Sequence, residues 1–141
     1  MRIREKAFGV DHISTANTIH NLGLTYQHQG KYDEAIAQSE QALRIREKAF
    51  EVDHISIAKT ISDLGSTYYS QGKYDEAIVQ YERALRIRKK AFGVDHVITA
   101  STLHNIGLVY RNMGDWILAK SYFERAVSLH KLSRGEVQIY H

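Results

Sequence analysis

The feature that most constrains this chain is a 42-residue internal repeat. Gly23, Gly65 and Gly107 occupy equivalent places, as do Ala35, Ala77 and Ala119, and the divisions fall at 9–50, 51–92 and 93–134. Repeats one and two are identical at 30 of 42 positions, and repeat three drifts most after Gly114. A period of this length is the mark of a stacked array, in which each unit buries its apolar face only against its neighbours.

Each unit reads as two helices. In the second repeat, Ala58, Ile61, Leu64, Gly65 and Tyr68 recur at the three/four spacing of a helix rather than the alternation of a strand. Gly72-Lys73 is a turn signal. Tyr74, Ala77, Ile78, Tyr81, Ala84 and Leu85 form the stripe of a second helix, with Asp75 and Glu76 in its first turn and basic residues at its end, both matching the helix dipole. The mid-helix glycines cost about 1 kcal/mol each against alanine, which is tolerable where another helix must approach closely. The expectation is that Ala35, Ala77 and Ala119 face them. Tyr26, Tyr68 and Tyr110, with Tyr32, Tyr74 and Trp116, are expected to fill the core between.

These residues resemble a known family. Leu22-Gly23, Tyr26, Gly30, Tyr32, Ala35 and Ala42, recurring at Leu64-Gly65 and Ile106-Gly107, are similar to the tetratricopeptide pattern. The longer unit, with Ala84-Leu85-Arg86-Ile87-Arg88 followed by Asp95-His96, resembles the kinesin light chain class of these repeats. The resemblance implies an all-α, right-handed α-solenoid of helical hairpins that acts as a protein-binding scaffold. Two departures stand out. Ile13, Ile55 and Val97 replace the proline that usually follows aspartate-histidine, which predicts a less sharp helix start, and Asp63 replaces the asparagine kept at Asn21 and Asn105.

The resemblance also implies a concave groove lined by the first helices. Its side chains would be Asn17, His20, Asn21, Leu24, Gln27 and His28 in repeat one, and Lys59, Ser62, Asp63, Ser66, Tyr69 and Ser70 in repeat two. In repeat three they would be Ser101, His104, Asn105, Leu108, Arg111 and Asn112. Six of the 12 differences between repeats one and two fall on these places, so the groove varies while the core is held. Amides, a tyrosine, a lysine and an arginine suit an extended peptide, which makes a protein or peptide the expected partner. Lys59, Asn105 and Arg111 are expected to weigh most, favouring a segment with an acidic group or a free C-terminus, and Asp63 argues against a strongly acidic one.

Other classes find little support. There is no cysteine, and the eight histidines include none in a metal-binding His-Glu-x-x-His array, because His12, His54 and His96 lie one repeat apart on successive rungs. No enzyme activity, metal or cofactor is expected. Those histidines, or Asp11, Asp53 and Asp95, are instead expected to cap helices. The charge of +3 is mild, and Arg44, Arg46, Lys48, Arg86, Arg88, Lys89 and Lys90 read as a solvated outer face, so no nucleic acid is expected. No membrane span or signal peptide is legible, and the expected setting is cytoplasmic.

The ends carry a further expectation. Residues 2–14 repeat 44–56 with Gly9 for Glu51, so 1–8 reads as a partial second helix of a preceding repeat, and the chain as a piece of a longer array. Seven helices are therefore expected, near 2–8, 12–28, 32–49, 54–70, 74–91, 96–112 and 116–132, with 135–141 as a tail. Apolar side chains at an uncovered end, Trp116, Tyr122, Phe123 and Val127 among them, point to a possible homo-oligomer through the solenoid ends unless the tail folds back over them.

Overall fold

The computed structural model describes residues 2–50, 54–93 and 96–133. They form six helices: α1 (Arg2–His28), α2 (Tyr32–Ala49), α3 (Ile55–Ser70), α4 (Tyr74–Phe92), α5 (Val97–Asn112) and α6 (Trp116–Ser133). No strand occurs among the described residues. Helices pair as hairpins α1–α2, α3–α4 and α5–α6, and each second helix packs on the first helix of the next hairpin.

The hairpin turns are built alike. Gly30, Gly72 and Gly114 have φ of 78°, 80° and 83°, a left-handed conformation that favours glycine. The Gly30 amide donates to the Gln27 carbonyl and the Lys31 amide to the Tyr26 carbonyl, at 3.0 and 2.8 Å. This paired arrangement ends the helix by satisfying carbonyls that would otherwise lack partners.

Between hairpins the connector uses histidine. His54 Nδ1 accepts from the Ser56 amide and His96 Nδ1 from the Ile98 amide, both at 3.0 Å. Each ring also stacks on the aromatic four residues earlier, His54 on Phe50 at 3.9 Å and His96 on Phe92 at 4.7 Å. The histidine thus supplies the cap, and α3 and α5 begin sharply without proline, contrary to the expected loose start.

One helix fewer is present among the described residues than the repeat pattern predicts. Gly9 to His12, expected as a connector, lies inside the continuous helix α1. One glycine, Gly9, costs too little to break uninterrupted i→i−4 bonding there.

The core follows the small-residue ladder. Ala35, Ala42, Ala77, Ala84, Ala119 and Ala126 are buried. Within the second hairpin, Ile57, Ala58 and Ile61 of α3 meet Ala84 and Ile87 of α4, and Leu43 and Phe50 from the preceding hairpin pack against them. Tyr81 and Leu85 of α4 share a cluster with Leu103, Ile106 and Val109 of α5. Trp116 departs from the expected core. It is 67% exposed, whereas its equivalents Tyr32 and Tyr74 are half-buried. Tyr74 is sheltered by the cluster it joins with α5, and among the described residues no helix follows α6 to do the same.

As expected, Ala35 and Ala77 face the glycines, their carbonyl oxygens 3.4 Å from a Cβ added at Gly23 and Gly65, and two of the glycines also face an aromatic ring of the second helix. A Cβ added at Gly65 would lie 3.1 Å from the Tyr81 ring, and one at Gly107 would lie 2.7 Å from the Phe123 ring. At Gly23 the same position is occupied by Ser39, and the nearest atoms are 3.4 Å away, the Ala35 carbonyl oxygen among them. The three glycines should therefore respond differently. Gly23→Ala should gain helix propensity and raise stability by up to about 1 kcal/mol. Gly107→Ala should displace Phe123 and lower stability by about 1–3 kcal/mol. Urea denaturation of the two variants checks the opposite signs.

Candidate functional site

The first helices α1, α3 and α5 bring the divergent positions together on successive rungs. What the sequence reading missed is that second helices reach this surface from behind. Arg46 of α2 is 5% exposed, not part of a solvated face. Its Nη2 donates to Asn17 Oδ1 at 2.7 Å, and its Nη1 donates to Thr60 Oγ1 and, at 3.4 Å, to the Ser56 carbonyl. Arg46 Nη1 also stands 3.3 Å from His20 Nδ1. Because arginine only donates, Nδ1 must accept, which leaves the proton of neutral His20 on Nε2. That nitrogen is 2.7 Å from Asp63 Oδ2, a close electrostatic contact rather than an aligned hydrogen bond. Burial pulls the Arg46 guanidinium pKa below its ordinary value, and the Asp63 charge opposes the pull.

Arg88 of α4 repeats the manoeuvre one rung on. Its Nη1 donates to Ser62 Oγ at 3.3 Å and to Thr102 Oγ1 at 3.0 Å, and it too is partly buried. Burial lowers its pKa, again against the charge of Asp63 and, less strongly, of Tyr81. The bland expectation of a hydrated basic end holds for Arg44 and Arg86, which are exposed. In the sequence only the spacing separates the two classes: Arg46 and Arg88 lie four residues after the buried Ala42 and Ala84.

Several expected groove residues are engaged within the array. Gln27 Nε2 donates to Ser66 Oγ at 2.9 Å, and Asn112 Nδ2 donates to the Tyr69 hydroxyl at 2.6 Å. Together with Asn17, His20, Ser62 and Asp63, these residues join one rung to the next, so part of the divergence between repeats is mutual fitting. The positions most open to a visitor are Asn21, His28, Lys59, Ser70, Ser101, His104 and Arg111, which are exposed, with Leu24, Asn105 and Leu108 half-buried beside them. The His104 ring lies 5.4 Å from that of Phe123. Arg111 lines an open cavity of about 490 Å³ with Trp116, Lys120, Phe123, Glu124 and Val127. Among the described residues no cluster of His, Asp or Glu could hold a metal ion, and no helix is long and apolar enough to cross a membrane.

The geometry agrees with the comparisons. Tetratricopeptide repeat family models match residues 15–56 and 56–131, and the chain belongs to that family. BtubC (BKLC) from P. vanneervenii is similar at 26% identity with a TM-score of 0.80, over 89% of this chain and 50% of that one. A putative kinesin light chain from Podosopora anserina with nearly identical TPR-like repeats has 22% identity and a TM-score of 0.74, over 86% of this chain and 57% of that one. The TPR domain of Arabidopsis FLU has 19% identity and a TM-score of 0.71, over 85% and 95%. This chain thus spans only about half the length of the first two proteins. No curated protein matches it. Repeat domains of this family generally mediate protein–protein interaction, and the fold is typically a non-catalytic scaffold.

The Arg46 network can be tested against the outer face. Arg46→Ala strands Asn17 and a buried hydroxyl, and should cost roughly 2 kcal/mol or more. Arg44→Ala, on the exposed side of the same helix, should stay within about 0.5 kcal/mol. Thermal or urea unfolding of the pair distinguishes an internal staple from a solvated basic end.

Proposed function

We propose that this protein is a binding scaffold, not an enzyme, and that it holds an extended peptide or protein segment along the first helices α3 and α5. The observation that carries the reading is an unequal groove. Where α1 meets α3, Asn17, His20 and Asp63 are used up by Arg46 and by each other. On the later rungs, Lys59, Ser101, His104 and Arg111 stand exposed beside half-buried Asn105 and Leu108. This set offers an amide for a peptide backbone, an apolar side chain for contact, and cations at both ends. The polar groups are held on helices, so little ordering opposes binding. Replacing Asn105 and Arg111 together by alanine should weaken a verified partner, captured by pulldown, by at least several-fold without loss of helicity. Unchanged affinity would remove the groove as the binding surface.

A second reading is self-association through the ends of the array, and a specific contrast favours it. Leu22 is 41% exposed where its equivalents Leu64 and Ile106 are 3% and 0% exposed. Val127 is 52% exposed where Leu85 is 8% exposed. Both halves of an interface that is closed inside the array are therefore open, one on α1 and one on α6, and such surfaces favour head-to-tail contact. Sedimentation at tens of micromolar should show mass rising with concentration, and Trp116→Glu with Val127→Glu should abolish the rise. A constant monomer mass for the unaltered chain would dismiss this reading. Capping by the tail concerns 134–141, which lie outside the described residues.

A further inference from the structure

The third hairpin departs from the other two at its tip. In repeats one and two the second helix opens with an acidic pair, Asp33-Glu34 and Asp75-Glu76, and Ile117-Leu118 stands there in repeat three. Gln29 and Gln71, before the turn, give way to Met113, and Trp116 takes the place of Tyr32 and Tyr74. All four apolar side chains are exposed, Ile117 by 84%. Of the nine exposed large hydrophobics among the described residues, these four fall within 113–118, which makes the tip a cluster rather than scattered drift. The helix start does not require them. Lys31 and Lys73 give α2 and α4 no side-chain cap, whereas Asp115 Oδ1 accepts from the Leu118 amide at 3.1 Å and caps α6. A polar link between tips has gone as well. Gln71 Nε2 donates to Asp33 Oδ1 at 3.0 Å, and Met113, one repeat on, has no hydrogen to offer Asp75.

Stacking of a further repeat does not account for the change. Asp33, Glu34, Asp75 and Glu76 are exposed although another hairpin packs after each of theirs. A helix laid over α6 in the same way, from this chain or from a second copy, therefore leaves positions 117 and 118 in water. Their exposure belongs to the position and not to the end of the array. The cavity on the open side of α6 takes in Trp116 and does not include Met113, Ile117 or Leu118. Large apolar side chains gathered where the array always stays wet mark a contact surface.

Shape and charge choose the partner. The patch wraps a tight turn, with Gly114 at a φ of 83°, so it protrudes and offers no groove to seat a helix or strand. Lys120 is exposed one helical turn behind Trp116, about 6 Å along the axis, and Arg111 is exposed just before the turn. An apolar tip, a tryptophan at its edge and cations one turn behind follow the order of a bilayer surface, from acyl chains to headgroup phosphates. Asp75 and Glu76 keep the neighbouring tip out of such a layer, so the contact is confined to one hairpin. We infer that Met113, Trp116, Ile117 and Leu118 enter the surface of a bilayer containing anionic lipid, with Lys120 and Arg111 at the phosphates. This contact needs no spanning helix and does not depend on the groove reading.

Trp116 is the sole tryptophan of the chain, so its emission reports on the tip directly. With vesicles of phosphatidylcholine and roughly one-third phosphatidylserine, the full chain should co-sediment and its emission should shift to the blue. Leaving out phosphatidylserine or raising the salt should weaken binding. Ile117→Asp with Leu118→Glu writes the pair of the first two repeats into the third. It should keep the helicity and bind at least about five-fold more weakly. Lys120→Gln should reduce the preference for phosphatidylserine. Emission unmoved by either vesicle at millimolar lipid, or a shift that the Asp-Glu variant retains, would overturn the inference. A shift that grows with protein concentration alone and does not change on adding vesicles would also overturn it, giving the surface to a second copy. A shift produced by a leucine-rich amphipathic peptide and not by vesicles would overturn it in favour of a protein partner.

Discussion

The structure depends on the close approach of two helices at positions that carry almost no side chain. Gly65 and Gly107 let the Tyr81 and Phe123 rings lie directly on the first helix, and alanines hold the remaining contacts at a similar distance. Once that spacing is set, the second helix is near enough for a long side chain to pass between two first helices and reach the groove. Arg46 and Arg88 do this. The glycine ladder and the polar floor are therefore parts of one arrangement: a wider hairpin would leave the guanidiniums short of Asn17 and Ser62.

The fold was legible because it rests on periodic features. Repetition of Gly23, Tyr26, Gly30 and Ala35 through the chain specifies hairpin length, turn chemistry and packing together, and local and global signals agree. Five of the six helix spans fall within a residue or so of the pattern. The sixth, α1, does not: it runs on through residues 9–12, where the repeat pattern places a connector. Trp116 departs as well, because its place in the ladder is a core place only when another helix lies against it.

The candidate site was legible in outline and not in its wiring. The first-helix positions that vary between repeats could be read from the sequence. That His20 meets Asp63, or that Asn17 meets Arg46, depends on which residues of different repeats come into contact, and no single-repeat comparison contains that information. The arginines were hardest to place. A basic run at a helix end looks the same whether a member faces water or the interior, and only the four-residue distance from Ala42 and Ala84 sorts Arg46 and Arg88 from Arg44 and Arg86.

The Arg46 cluster draws on α1, α2 and α3, so its polar groups belong to two successive repeats. The apolar ladder would accept the repeats in any sequence, because its members are interchangeable. The polar floor would not. A second copy of repeat one in the middle position would set Asn21, not Asp63, against His20. A second copy of repeat two in the first position would remove the imidazole that Asp63 faces. The array therefore has a direction and an order written in its hydrophilic residues, and averaging the repeats into a consensus would keep the shape while erasing the address.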